Sequence, residues 1–338
     1  MRQFVIYFVV LLFALTGCEK KINPMDPVKD DVNLKNKKLA VIYTDVNSRD
    51  SELVLINNKD KIEETQRFKY AGIVQVIKNP SGGLLLPVQL EDILIQIASN
   101  GEVNEQKIKT FPLFMETQKG YRLTTYNTAM DYGTIEILEN GKKKSKKLDG
   151  LLRSATADQK YVYVYGNVNG SANVLYVLDR QNLKLIKDMT LSYGPSDCIK
   201  VIDGKVFLSS DNDNMLTIVT PDSWKVSYMK LPYTGPDRIL SDSDSIYIAY
   251  ELGNRITKID RKTLEIQKSF KLSGQNTINM RMDNKYLYIL SQTDLDEQPI
   301  KGAVGRIGIY DKQTGKMSDE IILPEKRDML VQDLELLD

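Results

Sequence analysis

Among its 338 residues the chain has no histidine at all. That removes the commonest general base and the commonest ligand for zinc and copper. It has two cysteines, Cys18 and Cys198, and one tryptophan, Trp224. A cysteine nucleophile without a histidine lacks its usual base. No glycine-rich phosphate loop and no nucleophile-elbow motif is present. Net charge is also missing: 46 basic residues stand against 45 acidic ones. A balanced chain has no global field to draw in a polyanion, so nucleic acid is not an expected partner. No metal and no cofactor is expected from these residues. Carboxylate pairs are plentiful, but spacing alone does not bring two of them together.

Long apolar runs are absent except at the start, where Phe4 to Ala14 follow the single charge of Arg2. About eleven residues suit a signal-peptide core and fall short of the ~20 that span a bilayer. Leu15-Thr16-Gly17-Cys18 follows and resembles the lipobox of bacterial lipoproteins. The resemblance implies lipid on the Cys18 sulfur, cleavage after Gly17, and a membrane anchor on the extracytoplasmic face. Each buried methylene of such a lipid contributes ~0.8 kcal/mol. With Cys18 acylated, Cys198 has no disulfide partner and is expected to be buried as a small hydrophobe. Glu19 to Lys37 are polar, with Pro24 and Pro27, and read as a flexible tether. The expected organisation is a signal peptide over 1–17, a lipidated tether over 18–37 and a globular domain over 38–338.

That domain repeats. Aromatic and branched runs begin at Lys38, Gly83, Tyr121, Tyr161, Lys205, Ser245 and Lys285. Each is followed by further short strands separated by Asn, Asp and Gly turns, and no segment shows a helical stripe. Four short strands in about 40 residues is the spacing of a propeller blade. From Tyr161 to Leu323 the grammar resembles the YVTN-type surface repeat: inner strand, D-G or D-N turn, Tyr-rich second strand, then a third strand ending in I-D. The N-terminal third shares only the rhythm. The resemblance implies an all-β, seven-bladed propeller. The first unit lacks an inner strand, and the chain ends with DMLVQDLELLD from Asp328. Setting that last strand inside the first unit closes the ring and removes free sheet edges.

In such a ring two loop sets share one face: those between second and third strands, and those entering each inner strand. The entering loops repeat Tyr, Gly-Pro and Asp. They nominate Tyr70, Tyr193, Asp197, Tyr233, Asp237, Arg238, Arg327 and Asp328 as ligand-binding candidates around the channel mouth. The structural alternative is that Gly-Pro sets the turn and Asp–Arg pairs tie blades together. The longest loop, from Gln292 to Gly305, is an expected recognition insertion. Ser210 to Asn214 (SDNDN) lack the glycine and distal glutamate of a calcium loop and read as a polar turn. Lys142 to Lys147 (KKKSKK) read as an outer strand guarded against edge pairing. The functional expectation is a non-catalytic binding or scaffold lipoprotein that holds a protein, peptide or envelope glycan. The alternative is a carboxylate- or calcium-dependent propeller enzyme such as a lactonase, lyase or glycan-processing enzyme.

Overall fold

A computed structural model describes residues 31–45, 49–118, 120–251, 253–274, 276–293 and 300–337. The signal-peptide and tether assignments up to residue 30, Cys18 among them, lie outside the described residues. So does the middle of the long loop after Gln292.

Seven four-stranded antiparallel sheets make up the fold, all built from short strands. Blade 2 spans 77–107, blade 3 112–149, blade 4 151–191, blade 5 199–230, blade 6 236–271 and blade 7 277–324. Blade 1 takes three strands from 37–68 and its innermost strand from Leu330–Leu336. Leu336 pairs with Leu39 and Leu334 with Val41. The C-terminal segment therefore closes the ring inside the first blade, as the sequence pattern predicts. The lysine-rich run is the outermost strand of blade 3.

The core lies between blades. Each sheet buries both faces against its neighbours, which is why the second strands read as continuous apolar runs rather than alternating ones. Tyr121–Tyr126, Ser245–Tyr250 and most of Tyr161–Val168 are buried throughout. Seven apolar clusters occupy the seven junctions among the described residues, each sealed side chain worth roughly 1.5–3 kcal/mol. The tyrosines have a second use. Asp158, Asp242 and Asp283 each cap the turn between first and second strands, and each also accepts from a tyrosine hydroxyl. Asp158 takes the amides of Lys160 and Tyr161 and the Tyr163 hydroxyl, all at 2.7 Å. Asp283 does the same with Lys285, Tyr286 and Tyr288, and Asp242 with Asp244, Ser245 and Tyr247. An Asp placed five residues before a buried tyrosine thus fixes the turn and satisfies the hydroxyl at once.

Packing against the propeller begins before the expected domain boundary at Lys38. Val32 is fully buried, and its amide donates to the Gly101 carbonyl at 2.8 Å. Its apolar side chain had a seat between blades 1 and 2 that a polar tether would not fill.

Candidate functional site

The inner strands surround a cavity of about 700 Å³ on the ring axis. Their register is interrupted at one recurring place, since a residue bulges out at Leu113, Arg153, Asp237, Ile278 and Gln332. A bulge re-aims the side chains around it. Below it, equivalent pairings set one residue of each of six inner strands at the same level. Glu116 pairs with Leu123, Thr156 with Tyr163, Lys200 with Phe207 and Arg281 with Tyr288; Glu335 pairs with Ala40 and Lys78 with Leu84. Lys78, Glu116, Lys200, Arg281 and Glu335 line the cavity at this level, so its wall carries five charged side chains, beside the apolar Leu240 of blade 6 at the equivalent pairing with Tyr247.

These charges answer one another across blade junctions. Lys200 of blade 5 reaches Glu116 of blade 3 at 2.7 Å, and Thr156 of the blade between them donates to the same carboxylate at 2.9 Å. Burial opposes the Lys200 charge, but Glu116 outweighs it and holds the ammonium above its ordinary pKa. Arg153 of blade 4 grips Asp197 at the start of blade 5 with two parallel bonds of 2.5 and 2.6 Å. Arg238 of blade 6 donates to the Ile278 carbonyl of blade 7 at 3.0 Å. Arg281 of blade 7 meets Glu335 of blade 1 at 3.1 Å, and Asn279 donates to Asp333. Asp333 in turn accepts from the Val76 amide entering blade 2 at 2.9 Å, and Gln75 accepts from the Met115 amide of blade 3 at 2.9 Å. Burial pushes the Asp333 carboxyl up to about 6, against the opposing pull of Arg281.

The junction between blades 5 and 6 is different. Acids collect at its upper end. Burial raises Asp211 to about 7, with Asp197 and Asp237 adding to the effect. Burial likewise raises Asp237 to about 6, although Arg238 lies 2.5 Å away and opposes the shift. Asp211 Oδ1 is buried with no hydrogen-bond partner, while its other oxygen is 3.7 Å from Arg153. A carboxyl of this kind exchanges a proton near neutral pH. Among the described residues no three of Cys, Asp and Glu come together as metal ligands.

The loop face above blades 2 to 4 carries exposed apolar side chains. Leu90 and Met130 stand in the loops between second and third strands of blades 2 and 3, and Phe111 in the loop entering blade 3. Met130 is 92% exposed. Phe111 holds a φ of 56°, a left-handed conformation that costs a residue with a Cβ about 1–2 kcal/mol. The Asn127 amide donating to its carbonyl at 3.1 Å ties the two loops of blade 3 together beneath it. Leu151, at the entry to blade 4, is also exposed and lines the cavity.

Of the eight candidates nominated from the loops, Asp197 and Arg238 line the cavity, and Asp237 is buried beside Arg238. The others do not line it. The Tyr70 hydroxyl donates to Glu105 on the outer strand of blade 2 at 2.8 Å, and burial together with that carboxylate pushes the phenol up to about 12. Tyr193 packs edge-on against Tyr228 of blade 5, and Tyr233 against Tyr250 with the Arg255 guanidinium over its ring. Arg327 pairs with Asp50 of blade 1, which Arg67 also holds at 2.6 Å. Asp328 stays exposed in the same loop. Loop motifs alone missed Glu116, Lys200, Arg281, Asp333 and Glu335. Their signal was a charged residue inside an inner strand with apolar neighbours.

No family model matches the chain. It is 22% identical over 346 residues to the uncharacterized protein YeeG of Bacillus subtilis strain 168, covering 99% of this chain and 96% of that one. Among solved structures it is similar to dihydro-heme d1 dehydrogenase NirN, with a TM-score of 0.63 at 11% identity over 92% of this chain and 77% of the other. It is equally similar to a putative 6-phosphogluconolactonase from Bacteroides fragilis, with a TM-score of 0.63 at 14% identity over 91% and 100%. At such identities the likeness is one of fold: a seven-bladed propeller.

Proposed function

We propose that this protein is a lipid-anchored, extracytoplasmic binding protein that presents the loop face of its propeller to a protein or peptide partner. The observation that carries the reading is the exposed trio Leu90, Phe111 and Met130 beside the mouth of a rigid ring. Apolar side chains held out on loops, one of them at a backbone cost, suit a surface completed by another molecule. The N-terminal Leu-Thr-Gly-Cys supports the anchor. The internally matched charges of the channel suit a scaffold. The test compares partners retained from envelope extracts by the parent and by Phe111→Asp and Met130→Asp. A partner kept by the parent and lost by both variants supports the reading. Equal retention by all three removes it.

A second reading is a carboxylate-dependent enzyme working at the channel mouth, favoured by Asp211, whose carboxyl changes charge near pH 7. The similarity to a putative lactonase agrees with that reading without carrying it. Turnover of a sugar lactone or glycan that disappears in Asp211→Asn would establish it.

A further inference from the structure

The face opposite the loops has a chemistry of its own. It is formed by the turns between first and second strands and between third and fourth strands. The latter turns share one construction. Asp179, Asp260 and Asp311 each bond amides two or three residues ahead, to Asn182, to Lys262 and Thr263, and to Gln313 and Thr314. The acid is spent on the turn, and a lysine in the same turn is left facing solvent. Lys59, Lys61, Lys184, Lys225, Lys262 and Lys316 are all exposed, and among the described residues none makes an ion pair. They belong to blades 1, 4, 5, 6 and 7, and Lys142 continues the rim at blade 3. Cations that are paired here, such as Arg180 with Glu139 and Arg261 with Asp203, tie neighbouring blades. Asp31, Glu102, Asp244, Glu265 and Asp283 are the exposed acids of this face for which no ion pair is seen, fewer than its unpaired lysines, so positive charge is in excess. Whole-chain neutrality hides this.

The same face receives the chain's N-terminal side. Asp31 bridges Glu102, and the Val32 amide meets Gly101, both in the turn between third and fourth strands of blade 2. The described chain therefore enters the propeller at this face. We infer that this lysine-rimmed face lies against the membrane and contacts anionic phospholipid headgroups, so that the loop face points away from the bilayer. The inference rests on the membrane-anchor reading above and adds the orientation and the lipid class. Exposed lysines near a surface are drawn to anionic headgroups within a Debye length of about 10 Å, and salt weakens the attraction.

The experiment uses the full chain on vesicles of phosphatidylglycerol and phosphatidylcholine that carry a lipid-borne quencher. A fluorophore is attached at Ser243→Cys on the lysine face or at Met130→Cys on the loop face, with buried Cys198 unlabelled and Cys18, where mass spectrometry finds it unmodified, replaced by Ser. Quenching about twofold or more stronger at position 243 is expected, falling toward equality at about 0.5 M KCl or on phosphatidylcholine alone. Combining Lys184→Glu, Lys225→Glu, Lys262→Glu and Lys316→Glu is expected to abolish the difference while the circular dichroism spectrum stays that of the parent. Equal quenching at both positions, a difference that survives the four charge reversals, or no retention on anionic vesicles at low salt overturns the inference. Mass spectrometry of the N-terminal peptide decides acylation of Cys18 separately. An unmodified Cys18 defeats the anchor while leaving the quenching result to stand or fall alone.

Discussion

Lys200 and Glu116 sit two blades apart, yet the ammonium of one meets the carboxylate of the other at 2.7 Å across the wall of the channel. Glu116 is 8% exposed. Removing Lys200 leaves a nearly buried carboxylate with only Thr156 and Gln118 to hold it. Because Lys200 itself faces the water of the channel, the loss is smaller than for a sealed pair.

Lys200→Ala is therefore expected to destabilise the propeller by about 1–3 kcal/mol. Glu116→Gln in the same background is expected to recover part of it. Urea unfolding of the two single variants and the double variant checks this, and additive losses would show that the pair is not coupled.

The closing strand should control cooperativity. Leu334 is fully buried opposite Val41. Leu334→Ala is expected to cost about 2–5 kcal/mol. A chain ending at Pro324 is expected to lose its single cooperative transition and to associate through the uncovered edge of Lys37–Asp45. Calorimetry and light scattering read the two effects.

Asp211, Asp237 and Asp333 have folded pKa values raised to about 7, 6 and 6 from the ordinary 3.8. A carboxyl raised on folding contributes its stability below the unfolded pKa and loses it as pH climbs through the folded one. Their combined contribution is expected to fall between about pH 4 and pH 7. Asp211→Asn is expected to flatten that slope and to raise the melting temperature more at pH 8 than at pH 4.5. Thermal melts across this range decide it.

Cys198 is 7% exposed, and burial lifts its thiol above the usual range. Its reaction with a thiol reagent at pH 8 is expected to be slow in the native protein and to become fast with the unfolding transition in urea. Rapid labelling of the native protein would contradict the packing described here.

The junction between blades 2 and 3 has a small apolar cluster, Ile77, Leu85, Leu94, Ile108, Met115 and Tyr126. Beside it Glu136 is buried, with Lys109 and Lys143 no nearer than 3.5 Å. Amides of Tyr121–Tyr126 are expected to exchange sooner than those of Tyr161–Val168, measured by hydrogen exchange under native conditions.

Much of the architecture was written locally. A strand needs only a short run of β-formers between turns, so the spacing of the runs from Lys38 to Lys285 was enough to count the blades. The unpartnered strand at each end was enough to set the last strand inside the first blade, where the structure pairs Leu336 with Leu39. Asp158, Asp242 and Asp283 also act within five residues of their tyrosines.

The channel was decided elsewhere. Whether Glu116 meets Lys200 depends on how seven inner strands, five of them bulged, turn their side chains inward, and those residues are 84 apart in the chain. Tyr70 and Tyr193 share loop motifs with Asp197, yet they turn to the outer strands while Asp197 turns to the axis. Likewise a chain of nearly balanced charge carries a rim of unpaired lysines on one face because turns such as those at Asp179, Asp260 and Asp311 spend their aspartates on their own amides. Composition and spacing set the number and order of strands, since those follow from neighbours in sequence. Which charges converge follows from contacts between blades, and only the closed ring makes them.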